Sequence, residues 1–203
     1  MAGLSVPDVK ADLQRYLQTA RDALVWKLEG LSEYDVRRPM TPTGTNLLGL
    51  IKHLAYVEPG YFGETFDRPA AGFPSWSEEE GLEPNWDMWA TAEESRERIV
   101  GQYRRAWAHA DATISELPLD APGQVPWWEA ERGSVTLHRV LVHVIAETNR
   151  HAGHADVVRE LVDGAAGLRA GVDNLPPGDA AWWASYRDGL ERAAKAAGER
   201  LSR

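Results

Sequence analysis

Apolar residues recur at three- and four-residue steps in five segments of the chain, which is the spacing of one face of an α-helix. These segments predict helices from just after Ser5 to Leu28, from Thr45 to Glu64, from Thr91 to Leu117, from Ser134 to Asp163 and from Asp179 to Leu201. No stretch of useful length alternates apolar and polar residues as a half-buried strand does. The pattern therefore predicts an all-α fold: an antiparallel four-helix bundle with an additional C-terminal helix.

Prolines and glycines separate the predicted helices. Pro7 is placed in the opening turn of the first helix, where a missing N–H costs nothing, and Pro59 is expected to kink the second helix. Loops are predicted over residues 37–44, 66–90 and 118–128. The 66–90 connection is long for a compact domain, and such connections usually carry a function.

The length of 203 residues favours a single domain over residues 1–203. Its core is expected at about residues 5–165, with the C-terminal helix at about 179–201. A net charge of -9 disfavours nucleic acid as a partner, because phosphate binding needs a basic surface. We find neither a signal peptide nor an apolar run of 18 residues, so we expect a cytoplasmic protein without a membrane partner.

The chain contains no cysteine. It therefore has no disulfide, no thiolate metal ligand and no cysteine nucleophile of its own. Any sulfur chemistry at this protein has to use the sulfur of another molecule.

Polar groups interrupt the apolar face of the predicted fourth helix. At about 100° per residue, six side chains fall within roughly 60° of one line: Val140, Val144, Glu147, His151, His154 and Val158. A carboxylate in such a face is costly unless it is paired, protonated or bound to a cation. His151 follows Glu147 by four residues, a spacing that lets both side chains reach one point.

The predicted second helix carries one histidine, His53, at the edge of its own apolar face. Together with Glu147 and His151 it forms a set of two imidazoles and one carboxylate. Such a set suits a divalent transition metal held by three protein ligands with one position left open. An open position indicates catalysis, and His154 is placed as an outer hydrogen-bonding or substrate-facing group.

Other interpretations of the same residues stay open. A buried histidine is often just hydrogen-bonded, a Glu–His pair at this spacing is often an ordinary salt bridge, and His143 competes as a ligand from a position about 60° off the line. The protein would then be a non-catalytic helical module for dimerisation or partner binding. The same three ligands also suit a non-haem iron enzyme.

Two sequence segments resemble a known family. The pairing of LIKHLAYVE, which contains His53, with ETNRHAGHAD, which contains Glu147 and His151, resembles the DinB-like, YfiT-like superfamily of metal-binding four-helix bundles. Members commonly carry histidine where this chain has Glu147. The chain is similar instead to the branch that contains mycothiol S-transferases and mycothiol-dependent maleylpyruvate isomerase.

The resemblance implies a mycothiol S-transferase-like enzyme that activates mycothiol as a metal-bound thiolate for attack on a small electrophile. It implies a divalent metal, most readily zinc, with nickel or iron as alternatives, held by His53, Glu147 and His151. The isomerase has a further C-terminal domain that contributes to its active site, whereas one extra helix is predicted at that place here. We therefore expect a transferase and not the isomerase. The partners expected are the small-molecule thiol and the electrophile, and a homodimer is compatible with them.

Further residues are candidates for binding these substrates. Arg38, Arg150 and Asp156 are candidates for orienting the polar head of the thiol, and each is alternatively a solvated charge or an ordinary ion pair. The tryptophans between Trp76 and Trp89, together with the Trp127-Trp128 pair, are candidates for enclosing an apolar pocket. Their alternative role is to cap the ends of the bundle.

Overall fold

A computed structural model of the chain describes residues 8–75 and 83–201. Its helices are α1 (Val9–Trp26), α2 (Glu33–Arg37), α3 (Leu47–Phe62), α4 (Arg96–Glu116), α5 (Ala130–Gly133), α6 (Leu137–Asp163) and α7 (Ala180–Leu201). Short 3-10 turns cover Glu64–Phe66 and Trp86–Met88, and two strands, β1 (Pro122–Gln124) and β2 (Ser134–Thr136), have three residues each.

The core lies between α1, α3, α4 and α6. Helix α3 contacts α4 and α6, and α1 contacts α6 and α4, so the four longest helices of the core surround one apolar interior. Its side chains follow the predicted helical spacing; among them are Leu17, Ala20 and Leu24 of α1, Ile99, Tyr103, Ala106 and Ala110 of α4, and Val140, Val144 and Val158 of α6. The prediction of an all-α helical bundle is confirmed.

A buried ion pair joins three of these helices. The Nε atom of Arg21 in α1 donates to Oε1 of Glu58 in α3 at 3.0 Å, and its Nη1 atom donates to Asp111 in α4 at 2.9 Å. Arg21 and Glu58 are both fully buried. Loss of Arg21 would leave the buried Glu58 carboxyl without its cationic partner, so Arg21 ties together α1, α3 and α4.

Helix α3 is buried on nearly every side, as expected of a central helix. The side chain of Asn46 caps it by accepting the Gly49 N–H at 2.8 Å, so it begins at Leu47 and not at Thr45. The helix continues through Pro59 to Phe62. The kink expected at Pro59 stays a prediction.

Two other predicted helix starts are wrong by a few residues. Helix α4 begins at Arg96 and not at Thr91, because the hydroxyl of Ser95 caps it by accepting the Arg98 N–H at 3.1 Å. Helix α1 begins at Val9, capped by Asp8. Pro7, placed by the prediction in the opening turn, lies outside the described residues.

The chain before α6 folds into a small antiparallel sheet that the sequence pattern does not predict. β1 pairs with β2, and Gly123 lies opposite Val135. This pairing uses Ser134–Thr136, so α6 begins at Leu137 and not at Ser134. The segment between the strands carries Trp127 and Trp128; the Trp128 ring packs edge to face on His143 of α6, and the Trp127 ring packs edge to face on Tyr61 of α3.

Helix α7 keeps much of its apolar surface exposed. Trp182, Tyr186 and Leu190 are 41%, 48% and 54% exposed, and the rings of Trp182 and Tyr186 stack at 5.4 Å. The single-domain organisation expected for residues 1–203 stays a prediction. Across residues 8–75 and 83–201, no helix combines the length and apolar character needed to cross a membrane.

Candidate metal centre

Two of the predicted ligands lie together on α6. The Nε2 atom of His151 is 3.0 Å from Oε1 of Glu147, one helical turn earlier. His151 is buried, whereas the side chain of Glu147 is one-third exposed. The other ring nitrogen of His151, Nδ1, is buried without a hydrogen-bond partner among the described residues.

The third predicted ligand reaches the same point from α3. One ligand atom each from His53, Glu147 and His151 all lie within 4.8 Å of one another. The rings of His53 and His151 meet edge to face, with centroids 4.8 Å apart. The contact between α3 and α6 therefore assembles the triad, by which we mean these three residues, from two helices.

Asp87 supports the triad from outside it. Its Oδ2 atom lies 2.6 Å from Nδ1 of His53, and the carboxylate accepts the Nδ1–H of the ring. That bond leaves Nε2 of His53 as the ring nitrogen with a free lone pair. A carboxylate behind a metal-binding histidine is a common arrangement, because it fixes the tautomer and raises the basicity of the ligand.

The loop that carries Asp87 is held tightly against α3. The side-chain amide of Asn46 donates to the Met88 carbonyl at 3.2 Å, and Nζ of Lys52 donates to the Trp89 carbonyl at 3.0 Å. Gly49 allows the close approach, since a Cβ there would collide with the Met88 carbonyl oxygen. Part of the long 66–90 connection thus serves to position Asp87.

Burial and charge set the protonation of two groups at this site. Burial alone would raise the pKa of Asp87, but the hydrogen bond from His53, together with nearby groups that include Lys52, outweighs burial and lowers the pKa. The pKa of His151 is lowered by its burial and by nearby His53. Asp87 is therefore a carboxylate and His151 a neutral imidazole at neutral pH, which are the forms that support and bind a metal.

The donor set fits a divalent transition metal. Two imidazoles and one carboxylate are standard ligands of zinc, and tetrahedral coordination would place them about 3.4 Å apart. The Nδ1 atom of His151 is buried and has no hydrogen-bond partner among the described residues, although buried polar atoms usually have one.

A cavity of about 320 Å³ opens beside the triad. Its lining consists of His53, Val57, Tyr61, Trp127, His143 and Glu147. Inside it, the Tyr61 hydroxyl and Nε2 of His143 are 2.9 Å apart, and the Tyr61 and Trp127 rings are 5.1 Å apart. Burial lowers the pKa of His143, so its ring is neutral there at neutral pH. The cavity offers an apolar wall and one polar pair next to the candidate ligands.

The remaining candidate residues are placed differently. His154 is exposed, with its ring 5.6 Å from that of His151, and Arg150 is exposed on the same helix. Asp156 forms an ion pair with Lys27 at 2.6 Å. Arg38 pairs with Asp35 at 3.2 Å and lines a hollow to which the triad does not contribute.

The candidate tryptophans also differ in their surroundings. Trp127 lines the cavity, whereas Trp86 packs edge to face on Tyr56 and Trp89 is 50% exposed. Trp76 lies outside the described residues. The sequence pattern does not identify two residues of this site: Asp87 lies in a loop without periodicity, and Tyr61 carries no motif that marks it as a cavity residue.

The fold and this site define a class: a helical bundle with a His–Glu–His cluster capable of holding a metal between two of its helices. Within that class the chain matches the family model described as Mycothiol-S-transferase over residues 12–164, three quarters of its length. The chain therefore belongs to the mycothiol S-transferase family. A comparison with curated proteins finds no match for it.

Proposed function

We propose that this protein is a metal-dependent S-transferase that joins mycothiol to a small electrophile. The observation that carries the proposal is the convergence of His53, Glu147 and His151 beside an open cavity. The family match supports mycothiol as the thiol. The absence of cysteine from the chain is consistent with this, because the reacting sulfur then comes from the cosubstrate.

The triad supplies the ligands for the metal, with zinc as the first candidate. A divalent ion there would act as a Lewis acid with an open position, favouring the deprotonated form of an incoming thiol. One carboxylate and two neutral imidazoles leave a net charge of about +1 at the centre, which attracts an anionic sulfur. Asp87 keeps the Nε2 lone pair of His53 available for this purpose.

The cavity residues act on the second substrate. Val57 and Trp127 provide apolar surface that excludes water from the reacting atoms, and the Tyr61–His143 pair provides a hydrogen-bonding group beside them. The mycothiol sulfur forms a bond to the electrophilic carbon as the bond from that carbon to its leaving group, chloride in a chloro-substituted substrate, breaks, and the thiol proton passes to solvent. The product is a thioether of mycothiol.

The location and the helix order belong to the same proposal. A cytoplasmic location suits an enzyme that consumes a reduced low-molecular-weight thiol. The contacts among α1, α3, α4 and α6 support an antiparallel four-helix bundle.

A thiol comparison tests the proposal. The protein, purified without a metal-affinity tag and loaded with zinc, is assayed with 1-chloro-2,4-dinitrobenzene and either mycothiol or glutathione. We expect metal-dependent consumption of the electrophile that is faster with mycothiol. Equal rates with both thiols, or no rate above the uncatalysed background, would refute it. The Arg104→Gln variant, altered on the exposed face of α4, serves as a control that keeps the activity.

A further inference from the structure

A second hollow, of about 490 Å³, adjoins the cavity beside the triad. His143 lines both spaces, so one wall is shared. The apolar side of the second hollow consists of Trp128, Val142 and Ala146, and its polar side includes Arg132 and Arg139. Among the described residues no carboxylate lines this hollow, and Glu129 lines a neighbouring hollow on the other side of Arg132 and Trp128. The hollow is thus a basic pocket on a protein whose net charge is -9.

Both arginines have donors to spare. The guanidinium of Arg139 lies over the Trp128 ring at 5.5 Å, which holds it at the rim, and its one hydrogen bond goes to the Ser134 carbonyl at 3.4 Å. Within residues 8–75 and 83–201, Arg132 and Arg139 form no ion pair. Two guanidinium groups without a carboxylate partner can bind a planar anion through paired N–H donors.

Helix α6 sets the distance between this pocket and the triad. Arg139, His143, Glu147 and His151 follow one another at four-residue steps, each about 40° further round the helix, so they form a row that winds from Arg139 to the triad. Eight residues separate Arg139 from Glu147, a rise of about 12 Å. A molecule with its reacting carbon at the triad and an anionic group at Arg139 would therefore be extended and pass His143 and Trp128.

We propose that Arg132 and Arg139 form a carboxylate-binding subsite for the electrophilic substrate, which is then an amphiphilic acid with an aromatic or aliphatic middle. This assignment of a subsite rests on the proposed function. The aromatic side chains between the triad and the arginines suit an apolar molecule. The opposite end of the α6 face, with exposed His154 and Arg150, suits the polar thiol.

A binding measurement tests the subsite without any reaction. Isothermal titration calorimetry compares 4-acetamidobenzoate with its methyl ester on the wild-type protein. We expect the acid to bind about tenfold more tightly or better, since each charge-assisted hydrogen bond that the ester loses is worth at least that much. The Arg132→Gln/Arg139→Gln double variant should lose the preference, and Arg104→Gln should keep it. Equal binding of the acid and ester, or no binding of either, overturns the subsite.

A reactive pair extends the test to transfer. With mycothiol and 4-(chloroacetamido)benzoate, a sulfur–carbon bond forms as chloride leaves and the thiol proton enters the buffer. We expect kcat/KM for the acid to exceed that for its methyl ester about tenfold in the wild type and to equal it in the double variant. Equal rates in the wild type overturn the subsite and leave the proposed function standing. Absence of transfer with a retained, arginine-dependent binding preference supports the subsite and refutes thiol transfer.

Discussion

The Nδ1 atom of His53 and the Oδ2 atom of Asp87 lie 2.6 Å apart, although 34 positions separate the two residues in the chain. Asp87 is buried, and its loop is fastened to α3 through Asn46 and Lys52. Asp87 therefore holds the ring of His53 in one tautomer. The other ring nitrogen, Nε2, stays available to bind a metal together with Glu147 and His151. This arrangement leads to a first prediction about metal affinity.

Asp87→Asn should weaken metal binding about 10- to 100-fold, the usual effect of losing a carboxylate behind a ligating histidine. The fold should persist, because Asn keeps the size of the side chain. Competition with a chromophoric zinc chelator measures the affinity. Asp120→Asn, an exposed change, is the control. An Asp87→Asn protein with wild-type affinity would mean that Asp87 does not support the site.

Gly49→Ala should have a related effect without touching a polar group. The added Cβ would collide with the Met88 carbonyl oxygen and push the loop outward, moving Asp87 away from His53. We expect weaker zinc binding in the same competition assay and a lower Tm. Gly101→Ala, where the new Cβ would make only an ordinary contact with Nη1 of Arg105 at 3.9 Å, is the matched control. Unchanged zinc affinity in Gly49→Ala would show that the loop position does not matter to the site.

Single removal of each imidazole should abolish metal retention. For His53→Ala and His151→Ala we expect less than one metal per chain by elemental analysis, against about one in the wild type, since two protein ligands hold zinc poorly. Far-UV circular dichroism should stay close to that of the wild type, and His138→Ala should retain the metal. Loss of helical structure in both variants would instead identify the two histidines as structural residues.

Helical periodicity alone predicts the helices of the core and two of the candidate metal ligands. The step of 100° per residue placed Glu147 and His151 on the buried side of α6, and the structure has them 3.0 Å apart. His53 is predicted as the third ligand because it is the single histidine of α3. These features follow from the geometry of one helix at a time, so a sequence pattern contains them.

Features that depend on packing between distant segments were not predictable. Asp87 lies in a loop without periodicity, and contacts of that loop with Gly49, Asn46 and Lys52 bring it to His53. Strands β1 and β2 are too short to show alternation. Helical spacing allows the pairing of Arg38 with Asp35, three residues earlier, but the position of Arg38 in a hollow apart from the triad depends on packing between segments.

The free energy of unfolding at acid pH should depend on the ionisation of Asp163. Two hydrogen bonds from Arg159, at 2.9 and 2.8 Å, hold the pKa of Asp163 below its ordinary value of 3.8. Because the folded-state pKa is the lower one, the pair contributes stability above about pH 4 and loses it as the pH falls through the folded-state value.

Asp163→Asn should therefore lower the free energy of unfolding by about 0.5 kcal/mol at neutral pH, the range of a partly exposed ion pair. The difference from the wild type should shrink as the pH falls below about 4. Urea denaturation across this pH range measures both proteins, with the exposed change Asp188→Asn as control. A difference that stays constant with pH would contradict this assignment.

X-ray absorption at the metal edge, before and after mycothiol is added, tests the central claim most directly. The chain has no cysteine, so a thiolate ligand at the metal can come only from the added thiol. We predict nitrogen and oxygen ligands at about 2.0–2.2 Å in the loaded protein and a new sulfur ligand at about 2.3 Å with mycothiol, at an edge that also identifies zinc, nickel or iron. An unchanged nitrogen and oxygen shell at saturating mycothiol would contradict the account.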